Sequence, residues 1–137
     1  MDLDDGVQMP IRGFWFKCLA LFYAVMIFLI SALPSLSPAR FGLVLEDKIL
    51  HFIEFSILSF LLFLAFSTSG NAFIKKHIFI LASIVGIVYA ISDEIHQSFV
   101  PGRSCEFLDF VADSLGIVLV QMLIWLYLKK KRKVTAV

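Results

Sequence analysis

Residues Ile49–Phe66 read ILHFIEFSILSFLLFLAF, an apolar run whose ionisable residues, His51 and Glu54, both fall near its start. A run of about this length is what a ~30 Å hydrocarbon core demands of a helix. Three further runs share its character: Phe14–Leu33, Ile78–Ile91 and Phe107–Leu128. Pro34 and Pro38 close the first, because proline cannot continue a helical hydrogen-bond ladder. The third is short for a span. It reaches bilayer thickness if its helix begins before Lys75 or continues past Ser92 towards Gln97. Ser67–Asn71 and Pro101-Gly102 read as turns. The expected fold is all-α, a bundle of four transmembrane helices, with a cytoplasmic tail at 1–13, the bundle at 14–128 and a basic tail at 129–137.

Composition points the same way. The chain has 137 residues, room for one domain. Hydrophobic residues make up 60% and charged residues 17%, against about 45–50% and about 25% in soluble proteins. Mean hydropathy is +0.91. A soluble domain of this size could not keep so much apolar surface from water, so the bilayer is the expected solvent. The first run follows Arg12 and resembles a signal peptide, but it is long for one and no A-x-A-like site follows; a retained helix is expected. The two cysteines, Cys18 and Cys105, supply no disulfide framework. No zinc-type CxxC spacing, phosphate loop or repeat is present, and no nucleic-acid partner is expected.

Basic residues set the orientation. Arg12, Lys17, Lys75, Lys76 and the cluster Lys129–Lys133 fall on one side, leaving Arg40, Lys48 and Arg103 on the other. The positive-inside rule then places both termini in the cytoplasm and makes Pro34–Lys48 and Ser92–Glu106 external loops. The terminal cluster reads as a topology anchor drawn to anionic lipid.

That topology gathers distant residues at the external face: Asp47, Lys48, His51 and Glu54; then Ser92, Asp93, Glu94, His96 and Gln97; then Arg103; then Asp109 and Asp113. On a helix, Asp47, His51 and Glu54 share an arc of about 60°. Asp109, Asp113 and Gly116 also share a face. A carboxylate at the bilayer centre costs about 2.5–3.5 kcal/mol, so Glu54 and Asp113 are expected to face the bundle interior and find partners there. Acids at helix N-termini are stabilised by about 0.3–1 kcal/mol each, which is a sufficient role for Asp47 or Asp109 taken singly. Taken together, the set exceeds what capping needs. Carboxylates with a neutral histidine can bind a divalent metal or relay protons. Arginine's forked donors suit phosphate or carboxylate.

These residues resemble the VanZ-like family of small bacterial membrane proteins. The resemblance rests on Asp47-Lys48-x-x-His51-Phe52-x-x-Phe55, then Ser92-Asp93-Glu94-x-x-Gln97-x-Phe99-x-Pro101-Gly102-Arg103, then Asp109-x-x-x-Asp113-x-x-Gly116. It covers roughly residues 47–116. Asp113 stands where the family more often carries asparagine, and His96 lies outside the motif. The resemblance implies a multi-pass protein of the bacterial cytoplasmic membrane. Through the family's namesake it also implies a link to resistance against teicoplanin, a glycopeptide acting on peptidoglycan precursors at the outer surface.

The leading expectation is a site that binds or acts on an anionic, lipid-linked or peptidoglycan-precursor ligand. Asp47, His51, Asp93, Glu94 and Asp109 form its centre; Lys48, Gln97, Arg103 and Asp113 contact the ligand. If it is an enzyme, a carboxylate or His51 serves as general base, with a divalent metal as the conceivable cofactor. The alternative is a polar network that only holds the helices together. A proton- or ion-coupled carrier ranks last, since it would need acids through the depth of the bundle.

Overall fold

The computed structural model describes residues 8–34 and 44–135. Pro38 and Arg40, between the first two spans, lie outside them. Five helices form: α1 (Gln8–Ser31), α2 (Val44–Ser67), α3 (Ala72–Lys76), α4 (Ile78–Gln97) and α5 (Phe107–Thr135), with no strand among the described residues. All but the five-residue α3 are long and apolar enough to cross a membrane. This is the four-span bundle expected.

The short third run reaches its length at the far end. α4 passes Ile91 and Ser92 and stops at Gln97, giving 20 residues. At its near end the helix is broken: the Asn71 side chain accepts from the Phe73 and Ile74 amides at 2.8 and 3.4 Å, capping α3, and the chain turns at His77. α1 begins at Gln8, ahead of its apolar run, and α5 continues through the basic cluster to Thr135. The latter agrees with local physics. Lysine and arginine are good helix formers, and cations near a C-terminus are favoured by the helix dipole.

α2 is the centre of the bundle. It packs against α1, α4 and α5, whereas the backbones of α1 and α5 do not approach closely among the described residues. One apolar cluster joins Ile27 of α1, Phe55 and Leu58 of α2, Ala90 of α4 and Ile117 of α5. Ala20, Leu61 and Ala65 form a second between α1 and α2. Lipid tails are as apolar as leucine, so association rests on close packing, and small residues at the contacts permit it. Gly116 is the sharpest case. A Cβ there would stand 2.5 Å from the Phe52 carbonyl oxygen and 2.8 Å from Ser56 Oγ. The side chains of Leu21, Phe22, Leu115 and Leu123 point outward, as a lipid solvent allows.

One polar contact lies deep between α2 and α5. Ser59 Oγ donates to the Ile117 carbonyl at 3.0 Å, and Gln121 Nε2 donates to both Ser59 oxygens at 2.9 Å. Asp113 and Gln121 are separated by about 12 Å along the axis, so this contact is independent of the acidic end. At the opposite end of the bundle Lys75, Lys76, Lys129, Arg132 and Lys133 rim a groove of about 870 Å³, and the Lys129 ammonium lies 4.7 Å from the Trp125 ring centroid.

Candidate functional site

The start of α2, the end of α4 and the start of α5 meet at one end of the bundle, and three polar clusters link them. Lys48 sits in the second turn of α2 with its ammonium 2.5 Å from Asp109 Oδ1, 2.6 Å from Glu106 Oε2 and 3.7 Å from Asp47 Oδ2. One cation therefore serves three carboxylates. Lys48 was expected to contact a ligand; the structure shows it tying α2 to α5. It also holds the Glu106 carboxyl below the usual carboxylate range by hydrogen bonding and charge.

One turn deeper, His51 Nδ1 lies 3.1 Å from Asp113 Oδ1, both side chains buried. Asp113 faces the bundle interior, as expected, and finds a partner there. On α4, Gln97 Nε2 donates to Asp93 Oδ2 at 2.7 Å, an i, i+4 contact along one helix face. Glu94 Oε2 accepts the Glu106 backbone N–H at 2.8 Å, joining α4 to the residue preceding α5. Gln97 thus orients Asp93, and Glu94 anchors the connection that carries Arg103.

That connection turns at Pro101-Gly102, where Gly102 adopts φ +84°, a left-handed conformation that suits glycine. The Arg103 amide donates to the Val100 carbonyl at 3.1 Å and closes the turn. Arg103, with Asp47, His51 and Glu54, lines a cavity of about 360 Å³ against the apolar side chains of Ile30 and Ile53. Among the described residues Arg103 makes no ion pair, and its Nε is buried without a hydrogen-bond partner.

Asp47, His51, Glu94, Asp109 and Asp113 are drawn together. Two overlapping sets, Asp47–His51–Asp109 and His51–Glu94–Asp113, each place one donor atom per residue within 4.8 Å of the others. Glu54 faces the cavity, half-buried, without a hydrogen bond among the described residues. His96 stands apart, its ring stacked on Phe28 with centroids 4.0 Å apart, in keeping with its place outside the motif. Ser92 is exposed. Cys105 is exposed and Cys18 half-buried, both free. Sequence reasoning passed over Glu106. Its signal was its position three residues before Asp109, where a first-turn acid can turn towards the same cation.

A compact helical bundle, apolar outside and crowded with paired and unpaired carboxylates at one end, defines a small multi-pass membrane protein with a polar centre. The family model described as VanZ/LLP1 matches residues 14–128, and the chain belongs to that family. A relative from Schizosaccharomyces pombe, "Uncharacterized protein C11E3.10", is 30% identical over 115 residues, covering 84% of this chain and 67% of its own length. No solved structure matches.

Proposed function

We propose that this protein binds, at the external face of the membrane, the anionic headgroup of a lipid-linked ligand. The observation that carries the reading is Arg103. It lines a cavity of about 360 Å³ that is polar at Asp47, His51 and Glu54 and apolar at Ile30 and Ile53. Its guanidinium has no carboxylate partner among the described residues, so its forked donors are free for a phosphate or carboxylate. An apolar wall beside a cation suits a ligand with a lipid tail and a charged head. A family that reaches a fungus favours an anion common to both kinds of cell, such as a lipid phosphate, over a wall precursor confined to bacteria.

In this reading Arg103 grips the anion, and Asp47, His51 and Glu54 face it. Asp93, Glu94, Asp109 and Asp113 form the buried polar centre behind them, with Lys48 and Gln97 holding its acids in place. If the ligand is turned over, His51 is the base best placed, since it lines the cavity and already bonds a carboxylate. A link to teicoplanin resistance, as for the family's namesake, is the phenotypic form of the same proposal.

The test uses purified protein in nanodiscs, with a polyisoprenyl phosphate as probe and inorganic phosphate as headgroup-only control. A charge-assisted hydrogen bond contributes about 1.5–3 kcal/mol, so Arg103→Ala is expected to weaken binding by roughly tenfold or more. Unchanged binding by folded Arg103→Ala and Asp93→Asn proteins, with an unchanged teicoplanin susceptibility in cells, sinks the proposal.

A second reading has its own observation. Lys48, Gln97 and the Glu106 amide all bond within the bundle. A purely structural network predicts that substitutions at Asp93 and Gln97 lower thermal stability and leave the probe unbound in every variant, wild type included.

A further inference from the structure

We propose that His51, Glu94 and Asp113 bind a divalent first-row transition ion, Zn²⁺ or Mn²⁺, at the junction of α2, α4 and α5. Each of these helices contributes one residue, and the three donor atoms lie within 4.8 Å of one another. The side chains are removed from water: His51 is 6%, Glu94 3% and Asp113 0% exposed. Two carboxylate oxygens, Glu94 Oε1 and Asp113 Oδ2, are buried with no hydrogen-bond partner. A buried acceptor left unpaired costs about 1–3 kcal/mol, and more when charged. A shared cation satisfies both oxygens at once.

Charge balance argues in the same direction. Among the described residues, Asp47, Glu54, Asp93, Glu94, Glu106, Asp109 and Asp113 crowd this end of the bundle, against Lys48 and Arg103 as fixed cations. Two carboxylates with a neutral imidazole and a dication sum to zero, the cheapest arrangement in a low dielectric.

The other candidate set, Asp47–His51–Asp109, is already served. The Lys48 ammonium lies 2.5 Å from Asp109 and 3.7 Å from Asp47, so a second cation there would meet a like charge. His51–Glu94–Asp113 contains neither of those acids. Its mixed nitrogen and oxygen donors suit Zn²⁺ or Mn²⁺ better than Mg²⁺ or Ca²⁺, which prefer oxygen alone. Donors about 2.1 Å from one ion stand at most about 4.2 Å apart, and His51 Nδ1 and Asp113 Oδ1, at 3.1 Å, already meet that limit. Glu94 is pre-oriented for the ion, because its other oxygen holds the Glu106 amide. His51 belongs to the triad and to the cavity wall. This inference deepens the anion-binding reading: the ion would add positive charge beside Arg103, and a His51 bound to it would hold the ion rather than serve as base.

The experiment needs no lipid. Wild-type protein, stripped with chelator and monodisperse in detergent, is titrated with Zn²⁺ and with Mn²⁺; bound metal is counted by mass spectrometry after gel filtration, and melting is followed in parallel. The expected result is roughly one equivalent per chain and a raised melting temperature. Asp113→Asn and Glu94→Gln should each weaken uptake by roughly tenfold or more, while Arg103→Ala leaves it unchanged. Folded wild type that takes up neither ion overturns the proposal. So does uptake abolished by Asp47→Asn and retained by Glu94→Gln. Because the probe is metal alone, loss of lipid binding in Arg103→Ala with metal uptake intact separates this inference from the anion-binding one.

Discussion

Lys48 Nζ and Asp109 Oδ1 stand 2.5 Å apart across the α2–α5 interface, with 14% of the lysine side chain and 4% of the aspartate side chain exposed. The pair is buried, and removing one partner strands the other. Lys48→Met is therefore expected to destabilise the bundle by about 3–5 kcal/mol, with Asp109 left uncompensated. The double variant Lys48→Met/Asp109→Leu should lose much less. Unfolding in a denaturing detergent measures both, and equal losses would show that the two residues act independently.

Gly116 meets backbone, which cannot move aside as a side chain can. Gly116→Ala places a methyl 2.5 Å from the Phe52 carbonyl oxygen, so α2 and α5 must separate, at an expected cost of about 1–3 kcal/mol. Gly86→Ala meets only the Ile117 side chain, at 3.2–3.3 Å, and should be milder. The order of the two melting temperatures is the check.

The Ser59–Gln121 contact is the deep polar tie between the same two helices. Hydrogen bonds between membrane helices average about 0.6 kcal/mol and reach about 1.7. Gln121→Leu should fall in that range and leave binding of the anion probe unchanged, because the contact lies far from Arg103.

Cys105 offers a test of orientation and geometry together. Its thiol pKa is raised, first by partial desolvation and then by the Glu94 carboxylate nearby. Less thiolate is present near neutral pH, so maleimide labelling should be slower than for a free thiol and should accelerate as pH rises. Glu94→Gln should speed it. On the proposed orientation, with both termini cytoplasmic, an impermeant maleimide added to intact cells should reach Cys105; labelling only after lysis would reverse it.

The bundle was legible because membrane spans are written in long apolar runs, and 49–66 alone sets the scale. Helix ends were less so. Composition marks where apolarity stops, not where hydrogen bonding stops, so neither the break at His77 nor the continuation of α5 past Leu128 is written in the apolar runs. At the site, helical spacing correctly placed Asp47 and His51 on one face and Asp113 inward. It could not say that Lys48 reaches across to Glu106, because a long side chain covers more than its own register position. Ser59 and Gln121 went unseen for a different reason. A lone hydroxyl and a lone amide in apolar runs form no pattern until two helices are docked.

The continuation of α5 has a mechanical consequence. Its 29 residues extend about 43 Å, some 13 Å more than a hydrocarbon core of ~30 Å. The surplus is a lysine-rich collar that resists immersion in acyl chains, so α5 cannot slide inward. The collar thereby works as a depth stop for the far end of the same rigid rod, fixing how far below the opposite surface Asp113 can sit. In a thinner bilayer the rod must tilt or protrude, lifting the His51–Asp113 level towards water. Membrane thickness would then tune how dry the polar centre is.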